Sequence, residues 1–447
     1  MTTCLSVLLL TPGAPHADAA LQVRETGAFP GYTLLVPQTS TETYLLDLDG
    51  KAVHTWRSDY LPGLSAAVRE DGLLLRAGRF DPSPANFASA PGGAGGVIEL
   101  LDWDSTVVAS FQYASDQYLQ HHDVVSLPNG NVLMLAWEYK TTEEAIAMGR
   151  DPATLPDGHV YPDSVIEVDL DSGKIVWEWR VWDHLVQELD PTKPNYGSVA
   201  KHPRRIDLNV ASNGGQASWN HLNGIDYDRE RDHVIVSSRE FNEIWVIDHG
   251  ITTKQAQGKR GDLLARFGNP MAYGKGDPGD RTLFFQHDAR VVPKGTAGAG
   301  NYLAFSNGDA EHRPYSTVEE IIPVRKGGKF VARDGVFRAR TKRVYPTART
   351  SSEQFFASFI SGSQRLPNGN TLITDGPVGR VLEVTAAGTK VWEYVNDYFP
   401  PLPVVWVGSF EIRPERLFFA DRYAEKYPGF RGKPLTDPTA DTGEYQY

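Results

Sequence analysis

The chain has 447 residues, 40% of them hydrophobic and 22% charged, the proportions of a globular protein rather than a disordered one. A formal net charge of −12 without any basic stripe argues against nucleic acid as a partner. No apolar run reaches the roughly 18–20 residues of a membrane span, and ten Trp, 19 Tyr and 19 Phe favour sheet over helix.

In chain order, residues 1–19 are expected to be a secretory signal. Residues 5–10 form an apolar core and Ala17-Asp18-Ala19 is an A-x-A cleavage site, although no Lys or Arg precedes the core. The single cysteine, Cys4, lies inside this segment. Residues 20–447, taken as one domain, therefore carry no disulfide or thiol chemistry, which a periplasmic or secreted location permits.

The next elements are strands, read from period-2 alternation and Asn-Gly or Asp-Gly turns. Residues 44–56 hold a strand with Asp47, a turn at Gly50 and a strand ending in Trp56. The same pattern, an acidic strand, a glycine turn and a strand ending in an aromatic, returns at 165–177 and 381–392, with weaker versions at 97–111 and 243–267. A second motif alternates with it and opens on histidine. It runs from His122-Asp123 to Leu127-Pro128-Asn129-Gly130-Asn131, from His221 through Asn223, and from His287-Asp288. A fourth copy, ending Leu366-Pro367-Asn368-Gly369-Asn370, has Ser361 where the others have histidine.

Together the motifs make a four-strand unit, A to D. Units are expected at 64–112, 122–180, 221–268, 287–338 and 361–394, and residues 32–56 supply B, C and D of one more. A strand near 404–412 is the candidate for its missing A. The expected fold is all-β, a six-bladed β-propeller closed by strands from both termini; a non-cyclic β array is the alternative. With A innermost, the histidines line one mouth of the channel. The long loop insertions at 137–163, 180–220 and 268–286 fall on that face, the first with a short helix capped by Thr141 or Thr142.

Three imidazoles around a channel support three chemical readings. They can be structural partners of the adjacent Asp, although Ser361 in the fourth copy argues against that alone. His122, His221 and His287 can hold one divalent metal with an open position, as in a lyase or oxygenase. Or one attacks while another shuttles protons. Arg313, on a loop at the same face, suits an oxyanion better than a metal centre, and Arg239 is a second anion-binding candidate. Trp182, Tyr196, Trp219 and Tyr273 are loop aromatics that could receive a flat ring. A non-catalytic binding propeller is the remaining alternative.

The order of these motifs resembles the bacterial arylsulfotransferase family. The matching segments include the 44–56 hairpin, His121-His122-Asp123, Trp219-Asn220-His221-Leu222-Asn223, the run from Ser237 to His249, Gln286-His287-Asp288, Asn307-Gly308 and the tail at 418–429. The resemblance spans about 30–430 and lies in the ordered set rather than in any one piece. It implies a six-bladed propeller that moves a sulfuryl group between phenols through a sulfated histidine, with a small phenolic substrate and neither a nucleotide sulfate donor nor another cofactor. It implies that His221 and His287 are active-site histidines and that Arg313 matches the sulfate-binding arginine; Asn223, Asn307, Trp219 and Arg239 are the candidate substrate-binding residues. In one respect the chain departs from the family: the sulfated histidine is expected late in the chain, and here none follows His312. The late copy offers Ser361, Ser363 and Gln364, which leaves His122, His221 or His287 as nucleophile, or different chemistry on the same scaffold.

Overall fold

The computed structural model describes residues 20–90, 92–210, 216–311, 313–348, 355–400, 402–407 and 410–435. The expected signal segment lies outside them. Six four-stranded antiparallel units stand radially around a central channel as the blades of a β-propeller. Blade 2 comprises Pro62–Val68, Leu74–Arg79, Gly96–Leu101 and Val107–Gln112; blade 3 comprises Tyr118–Ser126, Val132–Glu138, Asp163–Asp169 and Lys174–Arg180. Blade 4 comprises Leu222–Asp228, His233–Ser238, Glu243–Asp248 and Ala265–Phe267; blade 5 comprises His287–Val291, Tyr302–Ser306, Thr317–Pro323 and Ala339–Tyr345. Blade 6 is Gly362–Arg365, Thr371–Asp375, Arg380–Val384 and Lys390–Val395, with Leu21–Arg24 as a fifth, outermost strand.

Blade 1 corrects the expected ring closure. Its inner strand is Asp421–Ala424, paired with Gly31–Leu35 and followed by Glu42–Leu46 and Ala52–Arg57. Val405–Val407 and Phe410–Ile412 instead form a separate two-stranded hairpin. Apolar alternation suits a hairpin as well as an inner strand, so it could not choose between the two segments. Polar anchoring distinguishes Asp421–Ala424. The Arg422 guanidinium donates to Thr33 of blade 1 and pairs at 2.5 Å with Glu383 of blade 6, while its backbone N–H donates to Gln364. The outer strand of blade 5 also lies beyond the expected limit of 338. Two short hairpins turning at Gly327-Gly328 and Asp334-Gly335, all four residues at positive φ, postpone it.

Both faces of each blade are buried, because successive strand residues point to opposite neighbours. Leu133 and Leu135 pack towards blade 4, against Val234, Val236 and Trp245. Val132, Met134 and Ala136, which alternate with them in sequence, pack towards blade 2. The recurrent acidic residue of strand C is explained by ion pairs within and between blades: Arg76–Glu99, Arg266–Glu243, Arg365–Glu320, His249–Glu167 and Arg422–Glu383. Tryptophans within the outer strands clip blades together, as where Trp177 Nε1 donates to Ile251 O and Trp392 Nε1 to Leu48 O. Thr141 caps helix Thr142–Ala147 in a capping box with Glu144. Among the described residues no helix is long and apolar enough to cross a membrane.

Candidate active site

The inner strands of blades 3, 4 and 5 are each interrupted by a bulge near the histidine. In blade 3, His121 opposes Leu135 but Val124 opposes Met134, so His122 and Asp123 are extruded. Similar shifts follow Leu222 in blade 4 and His287 in blade 5. A bulge re-aims a side chain without ending the sheet. His122 and His221 adopt left-handed backbone, with φ of +52° and +45°, a conformation that costs of order 1–3 kcal/mol for such residues. In blade 5 the left-handed residue is Asp288, at +54°, so the repeat slips by one there. Backbone bonds hold the strained positions: His122 N–H donates to Gly93 O at 2.7 Å and Arg239 N–H to His221 O at 3.0 Å.

The bulges bring the three imidazoles together. The His122 and His221 rings lie 4.9 Å apart between centroids, and the inner strand that His287 opens packs against the one that follows His221. His122 and His287 are buried, and His221 is partly buried. Asn307 fixes the tautomer of His287. Its Nδ2 donates to Ala357 O and Ile360 O at 2.7 and 2.9 Å, so its Oδ1, 2.7 Å from His287 Nδ1, must accept. His287 Nδ1 therefore carries the hydrogen and Nε2 the lone pair. His221 Nδ1 lies 3.2 Å from Ser218 Oγ, and His122 Nδ1 lies 2.8 Å from His121 Nδ1.

Arg239 is the arginine of this cluster. Its guanidinium stacks on Phe285 at 4.7 Å and contacts Glu240. Burial first, then neighbouring charges that include Arg239, hold His122 and His221 well below the usual imidazole range and push His287 down to about 3. The site thus holds neutral imidazoles beside a cation, an arrangement suited to an anionic substrate. Among the described residues, no group of three or more His, Cys, Asp or Glu side chains is arranged to hold a metal ion.

The other residues singled out from sequence are dispersed. Arg313 bonds Ser306 Oγ at 2.8 Å, Thr317 Oγ1 at 2.5 Å and Glu319 at 3.5 Å, and helps line a separate hollow of about 400 Å³ with Arg281 and Arg343. Asn223 is buried, its Nδ2 donating to Gln286 O. Trp219, 1% exposed, packs on Phe241 and Arg150, and Tyr273 lies beneath Arg266. Trp182 is half-buried under Lys140, and Tyr196 is exposed. Ser361 keeps the left-handed backbone at φ +84°, but its hydroxyl is tied to Gly376 N and Phe359 O. Sequence reasoning gave no role to Asp163, which contacts His121 at 2.6 Å, or to Gly93 over His122. The His121-His122 doublet was the only signal pointing at either. The opposite mouth is a cleft of about 490 Å³ lined by Arg69, Asp123, Arg229 and Arg290, where Arg290 pairs with Asp288 and Asp421.

A sequence profile of the Arylsulfotransferase (ASST) family matches residues 107–396, a span that includes all three histidines and Arg239. The chain belongs to the arylsulfotransferase family. Membership supports aryl sulfotransfer in general and implies small phenolic substrates. No curated protein matches the sequence. Among solved structures, the chain is similar to a protein of unknown function from Bacteroides caccae, at 12% identity and a TM-score of 0.44 over 82% of this chain and 93% of that one. It is also similar to virginiamycin B lyase from Staphylococcus aureus, at 11% identity and 0.38 over 84% and 87%. The β-propeller domain of Cps50 (Swd1) from Myceliophteria thermophila is similar at 9% and 0.39, over 84% of each chain.

Proposed function

We propose that the enzyme transfers a sulfuryl group from an aryl sulfate to a phenolic acceptor by a ping-pong route, with His287 as the nucleophile and neither nucleotide nor metal required. The observation that carries this reading is the Asn307 lock, which leaves His287 Nε2 as an unprotonated lone pair in a cluster containing a cation. In the first half-reaction His287 Nε2 bonds to sulfur, the sulfur–phenoxide bond breaks, and the leaving oxygen takes a proton from the His122–His221 pair. In the second, the same pair removes the acceptor phenol's proton, its oxygen bonds to sulfur, and the S–N bond breaks to regenerate His287. Arg239 holds the sulfuryl oxygens as charge redistributes. It takes precedence over Arg313 because its charge acts on all three imidazoles, although Glu240 holds one edge of its fork as Ser306, Thr317 and Glu319 hold that of Arg313.

Steady-state kinetics with 4-nitrophenyl sulfate and a varied phenol test the route. Parallel double-reciprocal lines and a stoichiometric burst of nitrophenol are expected. Converging lines without a burst would point to direct transfer in a ternary complex and overturn the covalent route.

A further inference from the structure

Contrary to the expectation from its net charge of −12, the chain does carry a basic stripe. Residues 325–343 hold eight of the 44 Lys and Arg but only one, Asp334, of the 56 Asp and Glu. They belong to the outer edge of blade 5, which is built from two short hairpins and the strand Ala339–Tyr345. Arg325 turns inward, to Tyr302 Oη at 2.9 Å and over the Phe330 ring at 4.7 Å, and the other seven cations are exposed. Arg338, Arg340 and Lys342 form a row. Arg340 opposes Ile322, Lys342 opposes Glu320, and Arg338 O accepts from Val324 N–H. Alternate residues of a strand share one face, roughly 7 Å apart. Neither this row nor Lys326 and Lys329 make an ion pair among the described residues. Arg333 meets the exposed Asp334 at 3.7 Å, and Arg343 meets Glu319 at 3.5 Å.

Lysines and arginines on an edge strand also deter pairing with another sheet. That need is common to all blades, yet the outer strand of blade 2, Val107–Gln112, carries no charge and leaves Val107 and Val108 exposed. Edge protection therefore does not account for the stripe. We propose that the outer edge of blade 5 binds a linear acidic polysaccharide, whose carboxylate or sulfate groups pair with the row Arg338, Arg340 and Lys342 and with the hairpin cations that flank it. The cations follow a line, as the charges of a polymer do. The aromatic rings of the stripe are spent on packing: Phe330 lies 5.8 Å from Phe267, and Phe337 is buried beneath Arg204. Neither serves as a platform for bases or as an anchor in a bilayer. A stiff duplex or a lipid surface would also extend past the stripe and set its charges against the acidic remainder of the chain. A narrow, flexible polymer meets the stripe alone. The edge strand stands three strand spacings, roughly 14 Å, from the inner strand that His287 opens. Binding there is independent of the sulfotransfer reading and holds the protein on an anionic matrix.

Fluorescence anisotropy with labelled polygalacturonate, and with labelled heparin as its sulfated counterpart, tests the edge. At least one of the two polymers should bind, with log affinity falling linearly as log salt concentration rises. The triple variant Arg338→Gln, Arg340→Gln and Lys342→Gln should weaken that binding by at least about tenfold. A second triple, Lys51→Gln, Lys174→Gln and Lys201→Gln, removes the same charge from exposed positions elsewhere and should change affinity by less than about twofold. Equal losses in the two triples would reduce the effect to net charge and overturn the edge as the site. So would binding of neither polymer, or equally tight binding of a DNA duplex or of phosphatidylglycerol vesicles at matched charge. If the row variant fails to fold, Lys326→Gln with Lys329→Gln, beside the Gly327-Gly328 turn, should still weaken binding by at least about threefold; unchanged affinity in that pair would contradict the proposal.

Discussion

A neutral imidazole offers one lone pair, and the group bonded to its other nitrogen decides where that pair sits. At His287 that group is the Asn307 oxygen, held in place by two backbone carbonyls. Asn307→Ala should slow sulfuryl capture by about 10²-fold, because the ring is free to turn and to change tautomer; rapid quench with 4-nitrophenyl sulfate measures it, and an unchanged rate would remove Asn307 from the account. The same residue sets a pH dependence. Burial first, then Arg239, lowers His287 from 6.5 to about 3, and protonation removes the attacking lone pair. The nitrophenol burst should therefore stay level as the solution is acidified from neutrality and decline only on approaching about 3. An inflection near 6.5 would show that an ordinary, solvated histidine does the attacking.

At the scale of the element, the bulged inner strand turns three histidines inward, and the loop carrying Gly93 covers one of them. Gly93 has φ +111°, and a Cβ there would sit 2.2 Å from His122 Cε1. Gly93→Ala should displace the loop or the ring, lowering turnover and costing about 1–3 kcal/mol; an unaltered melting temperature and turnover would mean that the loop gives way freely. Strands, turns and the six units were legible because alternation and Asn-Gly turns are local signals. The inner strand at 421–424 was not, since its distinguishing partners, Thr33, Gln364 and Glu383, are distant in sequence. The same holds for the site. His122, His221 and His287 announced themselves by repetition, whereas Asp163 reaches His121 through strand pairing that no spacing displays.

For the whole molecule, ring closure governs both stability and catalysis, because the site exists only while blades 3, 4 and 5 face one another across the channel. The seam between the first and last blades is fastened by the fully buried Arg422–Glu383 pair. Arg422→Ala leaves that carboxylate buried and unpaired, and should cost about 3–5 kcal/mol in denaturant unfolding; a loss below about 1 kcal/mol would place the pair in water-like surroundings. The most direct test of sulfuryl transfer through His287 is peptide mapping by mass spectrometry after quenching the enzyme with 4-nitrophenyl sulfate and no acceptor. One sulfuryl group on His287, absent from His287→Ala and discharged by added phenol, is expected. Nitrophenol release with no adduct, or an adduct on His122 or His221 instead, would contradict it.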